Sequence, residues 1–279
     1  MTMLSRPGLI GIARNQAVYN PETYVAASLL STLTTLGLTA NLKLCLDAGA
    51  GASYTSGQSW LDLSGNGYDF FRGATVGAAA DDPTFNGVAD AMSSAEYWSF
   101  DGGDYFRYDT TNETFMEAWH KDSAVFSIVM WVYPAGAGTN RLFGATRSVA
   151  TNIGIELFLT SNTGTATFRV GNGTGSFAVA VAPNVGFADG AWQMIGCSVN
   201  EAPGTGRIAR NATSTEITTT YTSPSAAAAS YVYEIGCTGD AASRLPSGAR
   251  IAMVAIFDTD LTAWQLEQIY NKTRRRFGV

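Results

Sequence analysis

The sequence predicts an all-β protein built as a two-sheet antiparallel sandwich, and three observations point to it. Short apolar segments recur from Leu42 to Phe257, about thirteen in all, many with the period-two alternation of half-buried strands. Glycine-rich turns such as Gly65-Asn-Gly67 separate them and supply the positive φ angles that tight hairpins need. Apolar residues make up 46% of the 279 residues and charged residues only 14%, so a sizeable core is available.

The first forty residues do not follow this pattern, and we predict that they form an added arm and a helix. Asn20-Pro21-Glu22 has the proline and the acidic residue typical of a first helical turn. Gly37 can end the helix. An apolar stripe lies between these points, made of Val25, Leu29, Leu30, Leu33 and Leu36. We therefore divide the chain into an attachment segment, residues 1–40, and a sandwich domain, residues 41–279.

The end of the chain predicts a buried strand followed by a short amphipathic helix. Residues 251–257 are uncharged. Thr262 and Gln265 have the spacing of a capping box, in which each side chain accepts the other residue's backbone N–H. Leu266, Ile269 and Tyr270 recur at i, i+3 and i+4 and form one apolar stripe.

Composition and charge limit the classes of function. The net charge is −6, so nonspecific nucleic-acid binding has no electrostatic support. The basic exception is Arg274-Arg275-Arg276, which either complements a helix C-terminus or docks on an acidic partner. The N-terminus shows no sustained apolar segment of a signal peptide, and no segment approaches the ~18 apolar residues of a membrane-spanning helix. These features predict synthesis in a host cytoplasm, no membrane span and no nucleic-acid partner.

The three cysteines are predicted to be reduced core residues. Cys45, Cys197 and Cys237 each lie in an apolar segment, where a free thiol behaves as a small hydrophobic side chain. An odd number cannot pair completely within one chain, so a disulfide framework is not expected.

Five elements, in a fixed order, carry a resemblance to a known family. They are the turn Asp62–Gly67, the segment Ser99–Tyr105, the strand Phe126–Tyr133, the segment Asp189–Ile195 and the ending Gly248–Tyr270. Together they resemble the laminin-G-like jelly rolls of the concanavalin A-like lectin/glucanase superfamily, of the kind found in bacteriophage virion proteins. The resemblance implies a jelly-roll sandwich with a short C-terminal helix.

Enzymatic chemistry has little support in the sequence. Glucanases of this fold class place two carboxylates on one sheet face through a strand motif such as E-x-D-x-x-E, and retaining hydrolysis needs them roughly 5 Å apart. Glu156 and Glu234 instead stand alone in apolar segments. The single histidine, His120, excludes a His-rich metal site and is expected to be a solvated loop residue. We predict no catalytic residue.

Aromatic side chains near strand ends are the candidates for binding a glycan, because the loops of a sandwich carry its binding residues. The candidates are Trp60, Tyr68, Tyr105 and Trp119. Packing at the edge of the core is the alternative interpretation of these rings. Trp131 and Trp192 lie within strand patterns and are predicted to be core residues.

A calcium site is a further hypothesis that the family resemblance implies, since some relatives bind this cation at the sandwich rim. Oxygen ligands suit calcium, and several oxygen-bearing residues occupy two turns. They are Asp62, Asn66, Asp69, Asp101 and Asp104. The alternative is that Asp and Asn stabilise these turns by bonding their own backbone. No other cofactor is expected.

The combined sequence evidence favours a non-enzymatic structural and binding protein. Our leading prediction is a bacteriophage virion component, as head decoration, fibre or tail protein, an analogy from fold and composition. Its N-terminal arm would dock on other virion proteins, its loops would meet cell-surface glycans, and a homo-oligomer is expected. A bacterial carbohydrate-binding adhesin is the alternative. A divergent glycoside hydrolase that depends on Glu156 is a remote third.

Overall fold

Two antiparallel β-sheets pack face to face in the computed structural model, which describes residues 26–136, 138–146, 151–161, 163–239, 241 and 243–279. The predicted two-sheet sandwich is confirmed. The strands within these residues are β1 (Leu42–Asp47), β2 (Ser59–Trp60), β3 (Phe70–Arg72), β4 (Thr84–Asn86), β5 (Tyr97–Ser99), β6 (Phe106–Arg107), β7 (Val125–Tyr133), β8 (Thr139–Gly144), β9 (Ile153–Thr160), β10 (Thr165–Asn172), β11 (Phe177–Val181), β12 (Gln193–Asn200), β13 (Thr205–Arg210), β14 (Thr213–Thr218), β15 (Glu234–Ile235), β16 (Cys237–Thr238), β17 (Ser243–Arg244) and β18 (Arg250–Phe257). The helices are α1 (Leu29–Thr35), α2 (Thr114–Glu117) and α3 (Ala263–Thr273), with a 3-10 helix η1 at Arg274–Phe277.

The strands form two large sheets and a small hairpin. Sheet I has the order β14-β13-β12-β7-β18-β5-β4, and β1 also pairs with β18. Sheet II has the order β11-β10-β9-β8-β15-β6-β3-β2. Strands β16 and β17 pair only with each other. Strands that are neighbours in a sheet therefore often lie far apart in the chain.

The central strands of sheet I are apolar because both of their faces are buried. In β7, Ile128 and Met130 point into the core between the two sheets. Val129 and Trp131 point to the other face, into a second apolar cluster. Side chains alternate along a strand, so a strand covered on both faces loses the usual apolar–polar alternation. The same reason explains the uncharged segment of β18.

The second apolar cluster forms where helices cover the outer face of sheet I. Leu266 and Ile269 of α3 are buried there, as predicted from their spacing. Trp131 stacks on Phe277 of η1 with ring centroids 4.2 Å apart. Its indole N–H donates to the hydroxyl of Thr273 over 2.8 Å. The capping box that begins α3 is confirmed as well.

Helix α1 belongs to the same cover, and it is shorter than predicted. It begins at Leu29, after Ser28 accepts the N–H of Ser31 as the N-cap, and residues 26–28 are not helical. A continuous helix from Pro21 to Leu36 is therefore wrong, while Pro21 itself lies outside the described residues. Leu29 and Leu33 are buried against sheet I. The attachment role predicted for residues 1–40 stays a prediction.

A buried ion pair links the 3-10 helix η1 to the start of helix α1 through Asp47. Arg276 donates to the Oδ1 atom of Asp47 over 2.6 Å, and both side chains are almost wholly buried. The Oδ2 atom of Asp47 accepts the N–H of Leu29, the first residue of α1. Arg276 also donates to the carbonyl of Ser93. Docking of Arg276 on an external acidic partner is therefore excluded by its burial.

The cysteines and the helices agree with two further expectations. Cys45, Cys197 and Cys237 are free and buried, as predicted. Burial raises the pKa of each thiol above its ordinary value. No helix in the described part of the chain is long and apolar enough to span a membrane.

Candidate ligand-binding groove

The outer face of sheet II carries a row of polar and aromatic side chains that no helix covers in the described residues. Cross-strand pairing places seven residues in line across this face. They are Ser59, Phe71, Arg107, Glu234, Gly144, Glu156 and Arg169. Residues that are directly paired across a sheet point to the same side of it. The neighbours Phe70, Phe106 and Ile235 point inward and are fully buried.

Glu156 is neutralised within this row by two arginines. Its Oε2 atom accepts from Arg141 over 2.8 Å and its Oε1 atom from Arg169 over 3.3 Å. Both guanidinium groups also lie over the ring of Phe158. Burial raises the pKa of the Glu156 carboxyl, whereas the two arginines lower it. The carboxylate is thus a structural charge and not an exposed one.

Glu234 lies on the same face, with Gly144 between it and Glu156. Both glutamates pair with Gly144 from opposite sides, so one strand separates them. Glu234 is also fully buried, and its carboxylate accepts the N–H of Ala241, next to the β16–β17 hairpin. Each glutamate is the one acidic residue of its strand, as predicted, and β8 separates the two. Local spacing does not show that they share one face, because they come from strands that are distant in sequence.

Two adjoining cavities open on this face, at the end of sheet II that contains β3 and β6. The first has a volume of about 460 Å³ and is lined by Phe71, residues 74–76 and residues 107–110. The second has about 440 Å³ and is lined by Arg107, residues 110–112, Glu117 and residues 228–232. They share Arg107 and Thr110, and we call them together the Arg107 groove. Cavities of this size hold small ligands in many proteins.

Phe71 and Arg107 lie side by side and line the first cavity of the Arg107 groove. They are a directly paired couple in β3 and β6, and both are half-buried. No hydrogen bond, ion pair or ring contact joins the Arg107 side chain to another described residue. Its planar guanidinium therefore keeps its five N–H donors for water or a ligand. An apolar ring beside free donors suits a ligand with one apolar face and a polar rim.

A hydrogen-bond network fixes the far wall of the groove. Asn112 donates to the carbonyl of Tyr231 over 3.0 Å and to Glu117 over 2.9 Å. Glu117 in turn accepts the N–H of Ala229 over 2.7 Å. The side chains of Asn112 and Glu117 thus hold residues 229–231 in place. Their polar atoms are largely committed to the protein.

Three of the four aromatic residues predicted to bind a glycan are buried in the core. Trp60, Tyr105 and Trp119 are exposed by 0%, 3% and 1%, and so cannot present a ring face to a sugar. Trp60 packs between the sheets against Phe106, at 5.1 Å between ring centroids. Tyr68 is half-buried and packs on the edge of the core. The alternative interpretation, packing, holds for the three buried rings.

The five residues predicted for calcium hydrogen-bond backbone groups, either within their own turns or in the neighbouring strand β1. Asp62 accepts the N–H groups of Cys45, Ser64 and Tyr68, and Asp69 accepts the N–H of Asp62. Asn66 donates to the carbonyls of Leu42 and Lys43. Asp101 accepts the N–H of Gly103, and Asp104 accepts that of Asp101. No group of three or more His, Cys, Asp or Glu residues suited to a metal occurs in the described residues.

The groove residues escaped the sequence prediction, although one local signal was present. Phe70 and Phe71 are adjacent in a short strand, so alternation requires one ring to face outward. Arg107 ends a two-residue strand that is too short to show a pattern. His120 also differs from expectation, because it is fully buried and not solvated.

The fold defines a lectin-like β-sandwich. The sequence model of the concanavalin A-like lectin/glucanase superfamily, laminin-G type, matches residues 100–267. The chain belongs to this superfamily. A search of curated proteins gave no match.

Three solved structures show the similarity in fold. The chain is similar to the binding domain of botulinum neurotoxin DC in complex with SialylT (13% identity, TM-score 0.57, 84% of this chain and 52% of that one). It is also similar to botulinum neurotoxin type C, whose cell entry depends on two ganglioside molecules (14%, 0.58, 86% and 53%). A third is domain 4 of AbnA, a GH43 extracellular arabinanase from Geobacillus stearothermophilus, in complex with arabinotriose (14%, 0.55, 82% and 98%). The chain spans about half the length of the two toxin chains.

Proposed function

We propose that this protein is a non-enzymatic carbohydrate-binding protein whose glycan occupies the Arg107 groove. The observation that carries the proposal is the pairing of an outward aromatic ring, Phe71, with the unpartnered guanidinium of Arg107 in one cavity. A sugar ring has an apolar C–H face and a rim of hydroxyls. The aromatic ring suits the first and the guanidinium donors suit the second.

The sugar ligands of two similar structures support this chemistry. One is a domain of an arabinanase in complex with arabinotriose, and the other is a toxin whose cell entry depends on gangliosides. Their low sequence identity relates the folds and not the binding residues. The groove therefore supports an oligosaccharide as the class of ligand and does not select one sugar.

A glycan array followed by titration of the strongest ligand tests the proposal. Phe71→Ala and Arg107→Ala should each weaken binding by at least about fivefold, since truncation of a central aromatic or arginine residue commonly costs more than 1 kcal/mol. Trp264→Ala is the matched control, because Trp264 is an exposed ring on α3, on the other sheet's face. Arg275→Ala is the control for the arginine. Equal effects of Phe71→Ala and Trp264→Ala would contradict the groove assignment.

The absence of catalysis is part of the proposal and has a separate test. Support comes from Glu156, whose two oxygens bind Arg141 and Arg169, and from Glu234, whose carboxylate is buried. A general acid or nucleophile must reach the scissile bond. Incubation with the bound glycan should release no new reducing ends. Release that Glu156→Gln abolishes would establish the hydrolase alternative.

We also propose that the protein is a component of a bacteriophage particle, with its N-terminal residues docked on a neighbouring virion protein. The low charge content and the Gly-rich sandwich support this placement by analogy. The neighbouring genes test it: a major-capsid or tail gene alongside supports a virion role. A cell-wall or secretion locus would favour the bacterial adhesin instead. Sedimentation velocity then tests the expected homo-oligomer.

Packing of α1 determines how the attachment segment should be removed. Leu29 and Leu33 are buried on sheet I, and the N–H of Leu29 bonds Asp47. Deletion of residues 1–40 would therefore expose an apolar face and leave part of Asp47 unsatisfied. Deletion of residues 1–25 keeps α1. On the virion hypothesis this shorter deletion should abolish incorporation and leave the unfolding temperature nearly unchanged.

A further inference from the structure

The single histidine of the chain lies directly behind the far wall of the Arg107 groove. His120 is fully buried, and its Nε2 atom is 2.8 Å from the carbonyl oxygen of Ala227. The next residues along the chain, 228–232, line the groove. Residues 225–228 are themselves largely exposed, so this segment lies as a thin cover over the imidazole.

The other ring nitrogen of His120 has no hydrogen-bond partner among the described residues. The Nδ1 atom is buried and unpaired. The carbonyl of Ala227 can only accept, so Nε2 carries the proton and Nδ1 is the bare nitrogen of a neutral imidazole. A proton added to Nδ1 would create a buried cation with an unsatisfied donor. Such a group is costly unless the structure opens to water.

We propose that His120 is a pH-responsive latch: neutral, it bonds the Ala227 carbonyl behind the closed wall of residues 227–231, and protonated at Nδ1, it becomes a buried cation that favours the open wall. This inference rests on the proposed glycan-binding function of the groove. Released residues would no longer present the wall that Glu117 and Asn112 align. Glycan affinity should therefore fall in acid.

The charged groups around the imidazole do not remove this penalty. Glu117 and Lys121 lie on its own segment and act in opposite directions, and Asp122 is exposed. Residues 222–230 carry no ionisable side chain. Glu201, from the end of β12, accepts the N–H groups of Ser123 and Tyr221. Burial lowers the pKa of His120 below its ordinary value of 6.5, while the Ala227 carbonyl and then Glu117 raise it.

The sign of the pH effect follows from this lowered pKa. The closed wall favours the neutral imidazole. The free energy that this preference adds to the closed wall is complete above the ordinary pKa of histidine, and it is lost as the pH falls below that pKa. Once the wall opens, the imidazole titrates near its ordinary value. Each pH unit below that value multiplies the equilibrium constant for opening of the wall by up to about ten.

Hydrogen exchange of the wall amides tests the latch without any ligand. The N–H groups of Ala229 and Ser230 bond Glu117 and Ile153 and should be protected at about pH 7.5. At about pH 5.5 the protection factors of these amides in the wild type should fall by up to about tenfold, after correction for intrinsic exchange rates. His120→Gln keeps an N–H donor for Ala227 but cannot titrate, so its protection should not change with pH. Amides of α3 serve as the internal control.

Glycan titration over the same pH range completes the experiment. Wild-type affinity should weaken by up to about tenfold between about pH 7.5 and about pH 5.5, and His120→Gln should remain flat. NMR of the only imidazole reports its titration in the wild type, even if the variant folds poorly. Unchanged wall protection in acid would overturn the latch, whatever the glycan result. Loss of protection with no glycan bound at any pH would keep the latch and refute the proposed function.

Discussion

The outer faces of the two sheets differ in what covers them, and this difference locates the candidate site. On sheet I, α1, α3 and η1 bury an apolar cluster around Trp131. On sheet II, the corresponding surface is a row of charged and aromatic side chains with the Arg107 groove at one end. A sandwich needs only its inner faces for a core. Helices cover the outer face of sheet I, whereas on sheet II Glu156 and Glu234 are buried and the end with Phe71 and Arg107 stays part-exposed for a ligand.

The two faces also use arginine in different ways. Arg276 on the covered side is buried and bonds Asp47, Ser93 and Glu96. Arg107 on the open side is half-buried and makes no such bond with a described residue. The guanidinium of Arg276 thus joins η1 to the sandwich, and that of Arg107 is available to a ligand. Substitutions on the two faces should therefore have opposite consequences.

The largest expected loss of stability is at the buried ion pair. Arg276→Ala leaves the Asp47 carboxylate buried without its cation, and the loss of one partner of a buried pair costs about 3–5 kcal/mol. Urea denaturation measures the change in the free energy of unfolding. Arg275→Ala, at the adjacent exposed residue, should change it by no more than about 0.5 kcal/mol. A cost below about 1 kcal/mol for Arg276→Ala would show that this pair is dispensable.

The next largest effect concerns the packing of α1 on sheet I. Leu33 is fully buried, so Leu33→Ala should cost about 2–5 kcal/mol through lost burial and the cavity left behind. Leu30 lies on the same helix but is half-buried, and Leu30→Ala should cost clearly less. Both variants should bind glycan normally once folded. An equal, small cost at the two positions would mean that α1 is only loosely attached.

A pH-dependent effect is expected at the turn beside the open face. Burial, and then the neighbouring Asp101 carboxylate, raise the pKa of Asp104 to about 6, although the N–H of Asp101 opposes the shift. The folded state therefore binds this proton more tightly than the unfolded state does. Its contribution to stability is complete below about pH 4, the ordinary range for Asp, and is lost as the pH rises through about 6.

Asp104→Asn tests this contribution because the amide keeps an oxygen for the N–H of Asp101 and cannot ionise. The stability of the variant relative to the wild type should rise between about pH 4 and about pH 6. Denaturation at several pH values measures the difference in free energy of unfolding between the variant and the wild type. Groups that titrate equally in both proteins cancel in this difference. Asp109→Asn, at an exposed position, is the control. A difference that does not vary with pH would contradict the raised pKa.

The fold followed from local patterns, because those patterns record burial directly. Period-two alternation placed most of the long strands, and Thr262 with Gln265 marked the start of α3. The uncharged residues 251–257 of β18 signalled burial on both faces. The start of α1 was misplaced because Asn20-Pro21-Glu22 is a strong local signal, whereas Ser28 is the N-cap that the structure uses.

The candidate site did not follow from the sequence, because it depends on pairing between distant strands. Phe71, Arg107 and Glu234 meet only when β3, β6 and β15 become neighbours. Trp60 and Trp119 looked like loop aromatics since the strand containing the first is two residues long and the second follows a four-residue helix. Side-chain type alone could not decide which rings the second sheet would bury.

The smallest expected effect on stability is the sharpest test of the contrast between the two faces. Arg107 has no described partner, so Arg107→Ala should change the free energy of unfolding by no more than about 0.5 kcal/mol. The same variant should lose glycan binding, because its donors face the groove. Denaturation and titration on one preparation separate the two quantities. A large loss of stability would mean that Arg107 supports the sheet, and the open face would then resemble the covered one.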